Sequence, residues 1–242
     1  MKIEVFVDAD SVAREAGALI AVSGGHTPWI MLSALAEEDV PWDKVHIIEV
    51  DERVAPAGHP DRNLTHLRES LLEHVPLPPK QIYAMPVESP DLEAAAKQYA
   101  AILADVAGIP PVLDLVHLGL GPDGHTASLV PGDPVLEITD TDVGVTGIYQ
   151  GRRRMTLTYP VLNRARRVLW LVTGSEKVGM LARLLGADQS IPAGRVNQDR
   201  ALVLADRAAA KKNNLAAEFS GAERHLRRLS KVTLLERGLS GQ

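Results

Sequence analysis

The chain has no cysteine among its 242 residues. That removes disulfides, thiolate nucleophiles and cysteine-ligated zinc from consideration. Aromatic residues are scarce, at 4%, so a platform for stacking bases or large rings is not expected. Basic residues do not dominate either: 26 Lys and Arg stand against 31 Asp and Glu, a formal charge of −5. A general nucleic-acid binder usually needs the opposite sign. No apolar run approaches the ~18 residues of a membrane-spanning helix. The start, Met1-Lys2-Ile3-Glu4, lacks the hydrophobic stretch of a secretory signal. These absences leave a cytoplasmic protein with no membrane and no nucleic-acid partner as the expectation. What is present is ordinary for a globular fold: 45% hydrophobic and 24% charged residues.

Short apolar runs alternate with longer helical patterns, which predicts an α/β fold with a parallel sheet. Strands are expected at Ile3–Val7, Ala18–Val22, Val45–Val50, Gln81–Ala84, Leu113–Leu118, Asp142–Ile148, Arg154–Thr158, Arg167–Val172 and Leu202–Ala205. Helices are expected at Trp29–Glu37, Asn63–Leu72, Asp91–Ala107, Tyr159–Arg164, Lys177–Leu185 and Arg207–Ala217. No internal repeat or low-complexity linker divides the chain. One domain over residues 1–210 is expected, followed by an extension, 211–242.

The chemistry concentrates in loops that follow strands. The fullest is Gly119–Gly132, which carries Asp123, His125, Thr126 and Ser128 among four glycines and two prolines. Such glycines let a backbone approach a ligand, and a titratable imidazole at a strand's C-terminal end is placed for catalysis. After Ala18–Val22 comes Ser23-Gly24-Gly25-His26-Thr27-Pro28, a glycine turn at a helix start. Free N–H groups and the helix dipole make that an anion site, although the same residues also suit a plain turn and cap. It is not a Walker loop, since Gly-x-x-x-x-Gly-Lys is absent. After Val45–Val50 comes Asp51-Glu52-Arg53, where Arg53 is suited either to a surface ion pair or to forking an anion. Arg154 opens a later strand, and Lys177 follows another strand–glycine turn, Val172-Thr173-Gly174. With the Ser23 loop, these cations would make a phosphate pocket. His26, His46, His59, His66, His74, His117 and His225 read as structural or solvated.

Five blocks in this order resemble the 6-phosphogluconolactonase family, within the wider glucosamine-6-phosphate isomerase/6-phosphogluconolactonase superfamily. They are Ser23–Pro28; Asp51-Glu52-Arg53 with His59–Asn63; Gly119–Gly132; Arg154–Thr158 with Leu162, Asn163 and Ala165; and Gly174–Lys177. Ile191-Pro192-Ala193 and Ala205–Ala209 extend the likeness, so it covers about residues 18–210. The resemblance implies a modified Rossmann-type three-layer sandwich with a mostly parallel central sheet. It implies hydrolysis of 6-phospho-D-glucono-1,5-lactone to 6-phosphogluconate, with no metal and no organic cofactor. Carried over, His125 is the general base. The phosphate falls to Ser23, Gly24, Gly25 and Thr27, with Arg154 and Lys177 as counter-charges and Arg53 from the facing loop. Either Asp51 or Asp123 is expected to orient His125, and N–H groups of the glycine loop to meet the oxyanion. The only partner implied is a sugar-phosphate lactone, taken up by a monomer or small homo-oligomer.

The related isomerases end this loop in Asn-Glu-Pro-Gly, and the Glu position aligns with Val130. A glucosamine-6-phosphate isomerase or deaminase therefore lacks an expected acid/base group here. A non-catalytic sugar-phosphate effector domain is the other alternative, but no helix-turn-helix accompanies it. Three departures from the family stand out. Asp8–Gly17 leaves about ten positions where the family places a longer helix, close to the minimum for a parallel crossover. Lys211–Gln242 continues past the usual end, with Leu215, Phe219, Ala222, Leu226, Leu229 and Val232 at helical spacing. It reads as a helix that replaces the missing one or covers a subunit interface, or equally as a solvated tail. Finally, His26 and Arg62 stand where the family commonly has Ser.

Overall fold

The computed structural model describes residues 18–210. The strand expected at Ile3–Val7, the segment after it and residues 211–242 lie outside the described residues. The strands are β1 (Ala18–Val22), β2 (Val45–Glu49), β3 (Asp51–Arg53), β4 (Ile82–Tyr83), β5 (Leu115–Gly119), β6 (Val143–Val145), β7 (Arg154–Leu157), β8 (Val168–Val172) and β9 (Ala201–Ala205). The helices are α1 (His26–Ala36), α2 (Asn63–Leu67, continued by a π-turn over Arg68–Leu72), α3 (Leu92–Ala107), α4 (Tyr159–Arg164), α5 (Val178–Leu185) and α6 (Arg207–Ala210).

Six strands form a wholly parallel central sheet in the order β4-β2-β1-β5-β8-β9. Side chains alternate across it, and both faces are buried. Leu19, Ala21, Ile48 and Val50 join one core with Tyr99 and Leu103 of α3, Val161 and Leu162 of α4, and Leu181 and Leu184 of α5. Ile20, Val22, Val45 and Ile47 join the other with Leu32 of α1 and Leu67 and Leu71 of the α2 segment. Burial on both faces is why these strands read as unbroken apolar runs. The two covered faces give the three layers that the resemblance implied. A second sheet, β3-β7-β6, is antiparallel and lends Met155 and Leu157 to the larger core.

Two elements differ from the sequence reading. Helix α1 begins at His26, three residues before the expected Trp29. Pro28 sits in its first turn, where a missing N–H breaks no helical bond. Strand β3 was expected to be loop, since Asp51-Glu52-Arg53 has neither apolar alternation nor length. It is held by its partner β7 and by the burial of Glu52. That carboxylate is fully enclosed and accepts from Arg62 Nε at 2.8 Å and from the N–H groups of Arg53, Asn63 and Leu64. Arg62 also donates to the Ala55 carbonyl, so it is a structural counter-ion and does not line the ligand cleft described below.

His117 on β5 is 1% exposed and its Nδ1 accepts a bond from the Ser23 N–H at 3.4 Å. Burial lowers its pKa from 6.5 to about 4. The folded protein therefore keeps a neutral ring where the unfolded chain would bind a proton. Stability from this group is complete above pH 6.5 and is lost as pH falls toward 4. A shift of this size corresponds to roughly 3 kcal/mol. His117→Asn keeps an acceptor for Ser23 but cannot titrate. The Tm advantage of the parent over this variant should shrink or reverse as pH falls from 6.5 to 4. A Tm difference independent of pH would contradict this origin.

Candidate active site

Strand β1 lies between β2 and β5, so the chain leaves it toward one side while β5 supplies the other. The loops after β1 and β5 diverge, and a crevice opens at their carboxyl ends, where parallel sheets bind ligands. A cleft of about 470 Å³ occupies that place. Ser23, Gly24, Gly25, His26 and Thr27 line it from the β1 loop and α1, and Gly121 and His125 from the β5 loop. Thr173, Gly174, Glu176 and Lys177 line it from the β8 loop, and Asp51, Arg53 and Arg154 from the second sheet. All the residues expected from sequence to bind phosphate are thus brought together. Asp123 stands behind His125 rather than on the wall. Among the described residues no group of three or more metal-ligating side chains converges.

One wall has the chemistry to hold an anion. Gly25 caps the eleven-residue α1 with φ 123°, and the open N-terminal turn faces the cleft. A Cβ at Gly24 would lie 1.9 Å from Asn63 Oδ1, so a larger residue there would have to displace the Asn63 side chain. Asn63 donates to the Asp51 carbonyl at 2.7 Å, which ties the glycine turn's neighbour to β3. Thr27 Oγ1 reaches Thr173 Oγ1 at 2.6 Å and closes the β1 loop against the β8 loop. The antiparallel register sets Arg53 directly opposite Arg154. Like charges in that position repel. Arg154 is only 5% exposed. Burial, and then the charge of Arg53, draw its pKa below the ordinary arginine value. The Nε atoms of both arginines are buried without a protein partner. A doubly charged phosphate between them would remove both penalties at once.

The facing wall carries His125. The imidazole of His125 lies over Gly121, where a Cβ would come within 2.1 Å of Nδ1. Asp123 Oδ1 is 2.6 Å from His125 Nδ1 and also accepts the His125 backbone N–H at 3.1 Å. Its other oxygen, Oδ2, accepts the Tyr149 hydroxyl at 3.0 Å. Burial alone would raise the Asp123 pKa. The His125 N–H, the imidazole and the Tyr149 hydroxyl outweigh it and hold the carboxyl below its usual value. An ionised Asp123 only accepts, so Nδ1 carries a proton, and in the neutral ring the lone pair is on Nε2.

Two expectations are refined here. Of the two carboxylates considered for orienting His125, Asp123 makes the contact, while Asp51 accepts the Ser128 hydroxyl at 2.6 Å. The N–H groups of the glycine loop are largely committed inside the loop. Gly121 donates to the His125 carbonyl and Gly124 to the Gly121 carbonyl. Neither is free for an oxyanion. Tyr149, Asn63 and Thr173 were not among the residues expected to form the site. Tyr149 is displayed by a tight turn at Gln150-Gly151, and that dipeptide was the only available signal.

The family profile described as glucosamine-6-phosphate isomerases/6-phosphogluconolactonase matches residues 5–204. A 6-phosphogluconolactonase of Synechocystis sp. is 40% identical over 182 residues, covering 74% of this chain and 75% of its own. A 6-phosphogluconolactonase of Mycobacterium tuberculosis is 38% identical over 87% of this chain and 97% of its own. The crystal structure of the Thermotoga maritima 6-phosphogluconolactonase superposes with TM-score 0.73 at 28% identity, over 84% of this chain and 91% of that one. A monomeric glucosamine-6-phosphate deaminase superposes with TM-score 0.73 at 19% identity, over 87% of this chain and 94% of that one, a likeness of fold alone. With the profile spanning nearly the whole described region, this chain belongs to the glucosamine-6-phosphate isomerase/6-phosphogluconolactonase family.

Proposed function

We propose that this protein hydrolyses 6-phospho-D-glucono-1,5-lactone to 6-phosphogluconate. The observation that carries the reading is the pairing of two opposed guanidiniums with a carboxylate-held histidine across one cleft. The phosphate sits against the Ser23–Thr27 turn, Arg53, Arg154 and Lys177. That remote anchor brings the lactone carbonyl to His125, so binding energy fixes the geometry of attack. A lactone is already electrophilic and needs no covalent nucleophile. His125 Nε2 takes a proton from water as its oxygen adds to C1. When the C1–ring oxygen bond breaks, the imidazolium returns a proton to the departing oxygen. Asp123 holds the Nδ1 proton throughout and stabilises the charged ring.

The position of the isomerase glutamate is filled by Val130, which is buried at 4% exposure. It offers no proton for ring opening or C1–C2 transfer, so isomerase chemistry lacks a group here. The expectations of a cytoplasmic enzyme, monomeric or a small homo-oligomer, without metal or organic cofactor, belong to the same proposal.

The test is hydrolysis of freshly generated lactone, with the spontaneous rate subtracted. His125→Ala should lower kcat by about 10²–10⁴, the usual share of a general base. Arg154→Ala should act mainly on KM, because its contact is the same in ground and transition states. A folded wild type with no rate above background would overturn the reading. Gly121→Ala provides a structural check. Its methyl would displace the imidazole, so activity should fall by about 10² or more while inorganic phosphate still binds. Unimpaired turnover in Gly121→Ala would exclude the observed seat of His125.

A further inference from the structure

Tyr149 touches both walls of the cleft, and the reaction above assigns it no task. It stands at the tip of a hairpin. Its N–H and carbonyl pair with those of Arg152 at 2.9 and 3.3 Å, and Gln150 and Gly151 between them have φ 51° and 81°. Two successive left-handed residues make a tight primed turn with little freedom. Gln150 is a non-glycine residue held in that region, the kind of local strain that clusters at working sites.

The turn grips Arg154 twice. The guanidinium lies over the Tyr149 ring, 4.9 Å from its centroid, and its Nη2 donates to Gln150 Oε1 at 3.1 Å. The far side of Tyr149 reaches the base. Its hydroxyl donates to Asp123 Oδ2 at 3.0 Å, and its ring meets the His125 ring edge-on at 5.5 Å and 69°. Asp123 Oδ1 is already occupied by His125. A carboxylate bonded through one oxygen can still swing, whereas one bonded through both is fixed in plane. Burial and the Asp123 charge raise the Tyr149 pKa, so the phenol stays a donor.

We propose that Tyr149 is a positioning residue that seats the phosphate-facing Arg154 and the Asp123–His125 pair on one rigid support, registering the substrate's phosphate and carbonyl ends against each other. The inference rests on the lactonase reading. It divides into two separable parts: the hydroxyl serves the base, and the ring face serves the arginine.

The test compares Tyr149→Phe, Tyr149→Leu and the milder Gln150→Ala. Readouts are kcat and KM for the lactone, calorimetric Kd for inorganic phosphate, and the proton signal of His125 Nδ1–H. Tyr149→Phe keeps the ring and loses the hydroxyl. It should lower kcat about tenfold, the scale of one hydrogen bond to a charged group, broaden the Nδ1 proton signal, and leave KM and phosphate Kd nearly unchanged. Tyr149→Leu should in addition raise KM and phosphate Kd about fivefold, as expected for a lost cation–π contact. Gln150→Ala should raise KM and spare kcat. The proposal is overturned if Tyr149→Phe matches the wild type in kcat and in the Nδ1 signal, or if it raises phosphate Kd as much as Tyr149→Leu. An inactive wild type would sink the lactonase reading alone, because phosphate Kd and the Nδ1 signal still report on Tyr149 without turnover.

Discussion

Asp123 Oδ1 lies 2.6 Å from His125 Nδ1, and this contact decides which ring nitrogen carries the proton. With Nδ1 occupied, the lone pair belongs to Nε2, the atom available to the cleft. The loop sequence makes the contact possible. Asp-Gly-His brings the carboxylate back onto the histidine's own N–H and ring, with Gly124 at φ 84° turning the chain between them. Gly121 leaves the space that the imidazole fills. In Pro122-Asp123-Gly124-His125, each small or polar residue has a geometric task.

The opposite wall depends on the sheet order. Placing β1 between β2 and β5 opens a crevice, and α1 then points its N-terminal turn into it. The parallel sheet's own loops bring the α1 dipole and the Lys177 ammonium to that crevice. The short antiparallel sheet adds two guanidiniums, because its register sets Arg53 across from Arg154. Free of ligand, this arrangement is repulsive. The buried Glu52–Arg62 pair and the Asn63 clamp hold the strand in place against that repulsion. Local cost at the site is thus offset by neighbouring contacts that involve neither guanidinium.

Much of this was legible in the sequence. The strands of the central sheet are buried on both faces, so apolar runs such as Leu113–Leu118 stood out against helical periodicity. Asp91 announced its helix correctly, as its side chain accepts the Ala94 N–H at 2.9 Å. The loops after β1, β5 and β8 carry glycine beside hydroxyl or charge, which marked them before any geometry was known. What stayed hidden depends on partners distant in the chain. Strand β3 exists because β7 pairs with it. Asp51 and Asp123 could not be told apart in sequence, because only the fold brings Ser128 onto Asp51 and Asp123 onto the His125 ring. Arg62 drew notice because it stands where the family commonly has Ser, but the enclosed Glu52 draws it inward. Tyr149 lies 24 positions from His125, and only the hairpin joins them.

The most direct measurement is the nitrogen-15 spectrum of the His125 ring in the resting protein, assigned with a His125→Gln variant and recorded where the ring is neutral. A neutral imidazole protonated at Nδ1 with a bare Nε2 is the expected result, since it leaves the base's lone pair free to take a proton from water. A neutral ring protonated at Nε2 would contradict it, because Nε2 would then have no lone pair with which to take that proton.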